Sequence, residues 1–212
     1  MIIGLAGHMG VGKDTVGNII KELDIDSNWQ IKKFASKLKQ IATILTGIPS
    51  EMFEDQEFKK TYLGEEWTLK TKTDHTLIKD GKATMAEITT RMTVRDMLQK
   101  LGTEAMRNGL HPDTWINALM CNYKKVKDKD EEYSYPNWII TDVRFPNEYD
   151  AIKSKGGIII RINRNESEKK STKHVSETAL DGYIYDYVIN NDSDINSLTK
   201  EIIKMLFKFN LK

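Results

Sequence analysis

Apolar positions along this chain fall into two rhythms. Short, nearly unbroken runs recur: Ile2-Ile3-Gly4-Leu5-Ala6, Trp138-Ile139-Ile140-Thr141, Ile158-Ile159-Ile160-Arg161-Ile162 and Tyr187-Val188-Ile189-Asn190. Runs of this length without polar alternation predict strands buried on both faces. The stretch 28–34 (NWQIKKF) predicts one more. Between the runs, apolar residues recur at helical spacing. The faces are Val16, Ile19, Ile20 and Leu23; Leu38, Ile41, Ala42 and Leu45; Val94, Met97, Leu98 and Leu101; and Trp115, Ile116, Leu119, Met120 and Tyr123. A last face takes in Ile195, Leu198, Ile202, Leu206 and Phe209. Five strands alternating with helices predict an α/β three-layer fold around a parallel sheet, with right-handed crossovers.

Local signals mark the ends of these elements. Ser36 and Ser193 are candidate N-caps, and Thr93 with Asp96 forms a capping-box variant. Gly47-Ile48-Pro49 and Gly156-Gly157 end helices, and Pro146 suits a first helical turn. Residues 50–63 predict a short helix. From Trp67 the period drops to two, and Asp80-Gly81 is a hairpin signal, so residues 65–86 read as a β-hairpin inserted between helices. His75 reads as a turn residue there. The charged stretch 124–133 reads as an exposed loop.

The chemistry concentrates in Gly7-His8-Met9-Gly10-Val11-Gly12-Lys13-Asp14-Thr15. A strand precedes it and a helix follows, the setting in which a glycine-rich loop ending in Gly-Lys cradles phosphates. Backbone N–H groups of Gly10, Val11 and Gly12 converge on an anion, the helix N-terminus adds positive potential, and Lys13 reaches the outer phosphates of a nucleotide. The position after the lysine is ordinarily Ser or Thr, a magnesium ligand; here it is Asp14. A carboxylate is a hard oxygen ligand for the metal, directly or through water. It can equally repel phosphates and leave the metal to Thr15 or a distant carboxylate. Asp142, following the apolar run 138–141, is placed like a Walker-B acid and is the second candidate metal ligand.

Other polar positions sit where ligands of an open α/β sheet gather, beyond strand ends. Lys37 and Lys39 follow the second strand. Arg95, Glu104 and Arg107 lie off the buried face of a middle helix. Residues 163–182 are polar and basic, the composition of a lid or of a plain surface loop.

Composition narrows the classes. At 212 residues the chain is one domain, with or without an insertion, and its net charge of +1 gives no footprint for nucleic acid. The one cysteine, Cys121, excludes an internal disulfide, fits a reducing compartment and reads as a core residue. No apolar run reaches membrane-spanning length, and the chain enters its first strand at once, without a secretion signal.

In order along the chain, GLAGHMGVGKDT, FASKLK at 34–39, TVRDMLQKLGTEAMR at 93–107, HPDTWINAL at 111–119 and TDVRFPNE at 141–148 resemble the bacteriophage deoxynucleoside monophosphate kinase family. GGIIIRINR at 156–164, HVSETALD at 174–181 and YVINND at 187–192 continue the resemblance. It implies a P-loop NTPase fold with strand order 2-3-1-4-5 in one domain over 1–212. A substrate-binding helical region spans about 36–125, carrying the hairpin insertion, and a lid spans about 163–182. It implies transfer of the ATP γ-phosphoryl group to a deoxynucleoside monophosphate, with Mg2+ as cofactor. Lys37, Arg95, Glu104, Arg107, Asp142, Arg144 and Glu177 would face the monophosphate. Arg144, Arg161 and Arg164 would close on the transferring group with Lys13. His174 would lie with Glu177 at the far end of the lid, and Asn190 and Asn191 near the adenine of ATP. The resemblance implies small-molecule partners, neither nucleic acid nor membrane, a location in the (host) cytoplasm, and it admits a homodimer. Two alternatives compete: a P-loop kinase for another small acceptor, of the dephospho-coenzyme A or phosphomevalonate kinase type, and a nucleotide-dependent binding module.

Overall fold

The structure, a computed structural model, describes residues 1–79, 82–127, 132–164 and 178–211. In chain order the strands are β1 (Ile2–Ala6), β2 (Gln30–Lys32), β3 (Leu69–Lys79), β4 (Lys82–Thr90), β5 (Val126–Lys127), β6 (Tyr133–Ser134), β7 (Trp138–Val143), β8 (Ile158–Asn163) and β9 (Tyr187–Asn190). The α-helices are α1 (Lys13–Leu23), α2 (Ser36–Thr46), α3 (Val94–Gln99), α4 (Thr114–Met120), α5 (Pro146–Lys153) and α6 (Ile195–Lys208). The chain divides into two compact units, Met1–Lys37 with Asp113–Lys212, and Leu38–Pro112.

In the first unit the apolar runs become a five-stranded parallel sheet ordered β2-β7-β1-β8-β9. Counting sheet strands alone, this is the expected 2-3-1-4-5. Every residue of β1 is buried, as a central parallel strand requires. Successive side chains serve opposite faces. Leu5 and Ile139 pack toward α1, where Gly17 permits close approach: a Cβ there would meet Thr141 Cγ2 at 2.9 Å. A Cβ on Gly4 would instead meet Ile152 of α5 at 2.8 Å. The main core joins Ile3, Leu5, Ile139, Ile160, Ile162 and Ile189 of the sheet to Val16 and Ile20 of α1 and Leu198, Ile202, Met205 and Leu206 of α6. The layers are therefore helix, sheet, helix.

Several ends differ from the sequence expectation. β2 is shorter than 28–34, because Asn28 turns the chain at φ 48°. Asp194, not Ser193, caps α6 by accepting from the Ser197 N–H at 2.8 Å. Ile195 is thereby left outside the core, and Met205 takes a buried place instead. Cys121 is exposed, not in the core, since it falls at the C-terminal end of α4 beyond the buried Trp115, Ile116 and Leu119. The stretch 124–133 is not wholly loop, because β5 and β6 pair as a short antiparallel ribbon.

The second unit packs Ala42, Phe53, Leu63, Val94 and Met97 together. Residues 50–63 form two 3-10 turns, Ser50–Glu54 and Phe58–Lys60, because the Asp55 carboxylate accepts from the N–H groups of Glu57 and Phe58 and breaks the helix between them. α2 buries only Ala42 fully, and Leu45 is exposed. The inserted hairpin is real and lies four residues further along the chain than expected, with β3 and β4 pairing from Leu69↔Thr90 to Lys79↔Lys82. Trp67 sits in a 3-10 turn ahead of it, and His75 lies within β3, not in a turn. The Asp80-Gly81 turn lies outside the described residues. Among the described residues, no helix is long and apolar enough to cross a membrane.

The capping box forms as expected. The Thr93 hydroxyl accepts from the Asp96 N–H, and Asp96 accepts from the Thr93 hydroxyl and N–H at 2.6 and 3.0 Å. These bonds hold the Asp96 carboxyl below the usual aspartate range. A depressed folded pKa adds stability that is present above the unfolded value, about 4, and disappears as pH falls through the folded one. We expect the difference in melting temperature between the wild type and Asp96→Asn to be full at pH 7 and to vanish in acid. Melts at stepped pH measure it.

α3 continues directly into a π-helical segment, Lys100–Leu110, closed by the His111 N–H donating to the Met106 carbonyl at 2.9 Å. Such winding is uncommon and frequent at functional sites. In a regular α-helix the steps from Arg95 to Arg107 make roughly three and a third turns, leaving the two about a third of a turn apart. Bonding i to i+5 turns each residue through less. The shortfall accumulated from Lys100 onward draws Arg107 back toward the line of Arg95.

Candidate active site

β1 runs straight into the glycine-rich loop, and three residues of that loop require left-handed backbone. Gly7, Gly10 and Gly12 have φ of 149°, 84° and 97°. Gly7 and Gly12 are also hemmed in. A Cβ on Gly7 would lie 2.4 Å from the Ile162 carbonyl oxygen, and one on Gly12 2.7 Å from Asn191 Nδ2. Between them Val11 is fully buried in the main core and pins the loop from below. Gly12 is the N-cap of α1 and makes no side-chain cap, so the first-turn N–H groups point into the loop.

Lys13 is only 9% exposed and folds back over the loop. Its ammonium donates to the carbonyls of Gly7 at 2.6 Å and His8 at 2.8 Å. The charge is thereby held above the same loop whose N–H groups would meet an anion.

Asp14 is anchored rather than dangling. Thr141, 2% exposed on β7, donates its hydroxyl to Asp14 Oδ1 at 2.6 Å. Lys33, just past β2, lies 3.1 Å from Oδ1 and donates to Oδ2 at 3.2 Å. Burial alone raises the Asp14 pKa, but the Thr141 hydroxyl and the Lys33 charge, with help from Lys13, outweigh it and hold the carboxyl below its usual range. Asp14 is thus an ionised, hard oxygen donor with lone pairs left over, which fits a magnesium ligand. Thr15 is exposed beside it.

Asp142 is tied to the backbone of a neighbouring segment. It faces away from Thr141, as alternation along a strand requires. Its two oxygens accept from the N–H groups of Phe34 at 2.8 Å and Ala35 at 2.9 Å. Burial pushes its pKa up against those two bonds and the Arg144 and Lys33 charges. It clamps the chain segment that leads into α2, where Lys37 is exposed in the first turn. Arg144 follows β7; its N–H and that of Phe145 donate to Glu148, a carboxylate 2% exposed, at 2.8 and 3.1 Å.

Arg161 is gathered into a tight group. Its guanidinium donates to Asn163 Oδ1 at 3.2 Å, to the Tyr185 hydroxyl at 3.4 Å and to Asp181 Oδ1 at 3.1 Å. The same Asp181 oxygen lies 3.5 Å from His8 Nε2 in the glycine-rich loop, and the buried His8 Nδ1 has no hydrogen-bond partner among the described residues. Arg164 is exposed at the end of β8. Of the expected adenine neighbours, Asn190 is exposed, whereas Asn191 is buried and donates to the Val11 carbonyl at 2.9 Å, tying the loop to the end of β9.

In the second unit Arg95 donates to Gln56 Oε1 at 3.1 Å, Glu104 pairs with Lys100 at 3.4 Å, and Arg107 is half-buried on the π-helical segment. Lys39 forms an ion pair with Glu54. Most of the expected lid, with His174 and Glu177, lies outside the described residues.

Sequence reasoning passed over Lys33, Thr141, His8 and Asp181. Thr141 was visible as the polar residue ending an apolar run in phase with Ile139. Lys33 gives no such signal, because the pattern at 28–34 continues through it, whereas the strand ends at Lys32.

A family profile described as "Deoxynucleotide monophosphate kinase" matches residues 51–202. A protein of Acanthamoeba polyphaga mimivirus, provisionally named a deoxynucleotide monophosphate kinase, is 28% identical over 212 residues, covering 96% of this chain and 94% of its own. The deoxynucleoside-5'-monophosphate kinase of Escherichia phage T5 is 24% identical over 243 residues, covering 95% and 94%. Among solved structures, shikimate kinase from Aquifex aeolicus is similar at 14% identity and a TM-score of 0.43 over 100% of this chain and 99% of that one, a likeness too loose to bear on function.

Proposed function

The chain belongs to the deoxynucleotide monophosphate kinase family, and from that premise we propose how its residues transfer the ATP γ-phosphoryl group to a deoxynucleoside monophosphate. The family match favours this reaction over the other small acceptors and over a binding module. One observation carries the residue-level reading. Three left-handed glycines and an almost buried lysine form an anion cradle at the start of α1, beside an ionised aspartate.

Gly10 to Thr15 hold the triphosphate by backbone N–H groups, and Lys13 exchanges its carbonyl partners for the outer phosphate oxygens. Asp14 would hold Mg2+, which would supply charge neutralisation at the phosphates. Asp142 is the weaker candidate ligand, because both its oxygens already accept backbone N–H groups. The acceptor is itself a phosphate oxyanion, so no general base is needed, and the barrier falls by alignment and charge cancellation. Arg144, Arg161 and Arg164 supply that cancellation. Arg161 leaves Asp181 to do so. Lys37, Arg95, Glu104, Arg107 and Glu177 bind the monophosphate, with Arg95 and Arg107 brought toward one line by the π winding, and Asn190 lies by the adenine. The net charge of +1 supports small-molecule partners without nucleic acid, and the single cysteine supports a reducing, cytoplasmic setting.

A coupled ADP-release assay with ATP and magnesium against the four deoxynucleotides and their ribose counterparts tests the reading. Turnover on deoxynucleotides is expected; silence on all of them with ATP still bound would overturn it. Arg95→Ala is expected to raise KM for the monophosphate about tenfold or more, the worth of a charge-assisted phosphate contact, while moving KM for ATP less than threefold. Initial rates with each substrate varied in turn decide it. A shift confined to ATP would put Arg95 on the wrong substrate.

A further inference from the structure

We propose that Lys33 is a positioning residue that cancels the charge of Asp14 and so lets an acidic residue stand in a phosphate-binding loop. The inference rests on ATP occupying that loop. A carboxylate in the first turn of α1 suits the helix dipole, but the same helix end must attract a polyanion. Left bare, Asp14 would oppose every phosphate entering the cradle. Lys33 straddles both carboxylate oxygens, at 3.1 and 3.2 Å, and its side chain is 24% exposed against 62% for Asp14, so the cation sits below and the carboxylate above. Thr141 fixes the carboxylate from the strand side at 2.6 Å, which prevents Asp14 from swinging clear. The aspartate is therefore held where it can serve a metal, and it needs a permanent counter-charge when no metal is present. Lys33 supplies it from the carboxyl end of β2.

A plain surface ion pair would contribute little to stability and nothing to ligand binding. The two roles separate in metal-free solution. ADP binding is measured by titration calorimetry in excess EDTA for the wild type, Lys33→Met, Lys33→Arg, Asp14→Asn and the double variant Lys33→Met/Asp14→Asn, with melting temperatures alongside. Lys33→Met is expected to weaken ADP about tenfold with little change in melting. Lys33→Arg is expected to keep most of the affinity. The double variant is expected to return within about threefold of wild type, because removing the carboxylate removes the need for the cation. Equal affinity for Lys33→Met and wild type, or a double variant as weak as Lys33→Met, would overturn the inference. If instead Lys13→Met binds ADP as well as wild type does, the P-loop reading itself has failed, independently of Lys33.

Discussion

Lys13→Ala is expected to lower kcat by about a hundredfold to a thousandfold, the usual cost of removing one preorganised donor from a charge-stabilised transition state. The lysine is already held over the loop, so meeting an anion bound there would need no large search. The substitution has a structural side as well. Without the ammonium, the Gly7 and His8 carbonyls each lose a donor, at 2.6 and 2.8 Å respectively. Leaving such acceptors unsatisfied costs about 1–3 kcal/mol each when they are buried. Some loss of stability is therefore expected alongside the loss of turnover. Circular dichroism and a melt on the same preparation separate the two. Turnover within fivefold of wild type in a folded Lys13→Ala protein would remove the phosphate assignment from this loop.

Asp142→Ala is expected to destabilise the fold by about 2–4 kcal/mol, measured by urea unfolding. The carboxylate accepts two backbone N–H groups, from Phe34 and Ala35, and hydrogen bonds to a charged acceptor contribute about 1.5–3 kcal/mol each. The sum is reduced because burial pushes the Asp142 pKa up, so the ionised form is held at a cost. Asp142→Asn retains one acceptor oxygen and is expected to lose about half as much. A loss under 0.5 kcal/mol for the alanine variant would show that the 34–35 segment is held by something else. The same variant should raise KM for the monophosphate, since the clamped segment leads directly to Lys37.

The sheet and the backbone of the glycine-rich loop were legible because each is written in adjacent residues. A run such as Ile158-Ile159-Ile160 admits few readings besides a buried strand, and glycines before Gly-Lys announce their backbone. The partners of Asp14 were not legible. Lys33 lies 19 positions away and Thr141 lies 127 away, and only the sheet order β2-β7-β1 brings both beside α1. Asp142 was read by its place after an apolar run, but which face of a strand end points to the loop depends on register, and register gave that face to Thr141. The Asp55 turn and the Asp194 cap were missed for a shared reason. An aspartate that captures nearby N–H groups competes with helix locally, and apolar spacing says nothing about it. The π winding leaves no mark in a pattern searched at the α period.

Length, more than composition, is the sensitive coordinate of the segment from Lys100 to Leu110. A π-helical stretch is an α-helix carrying surplus chain. Deleting a single residue there would let the segment relax to ordinary winding and swing everything beyond it by about a quarter to a third of a turn. A chain that gained or lost one residue in this interval would therefore align a different side chain with Arg95. A helix of this kind lets the length of the chain, rather than the identity of a residue, decide which side chains share a face.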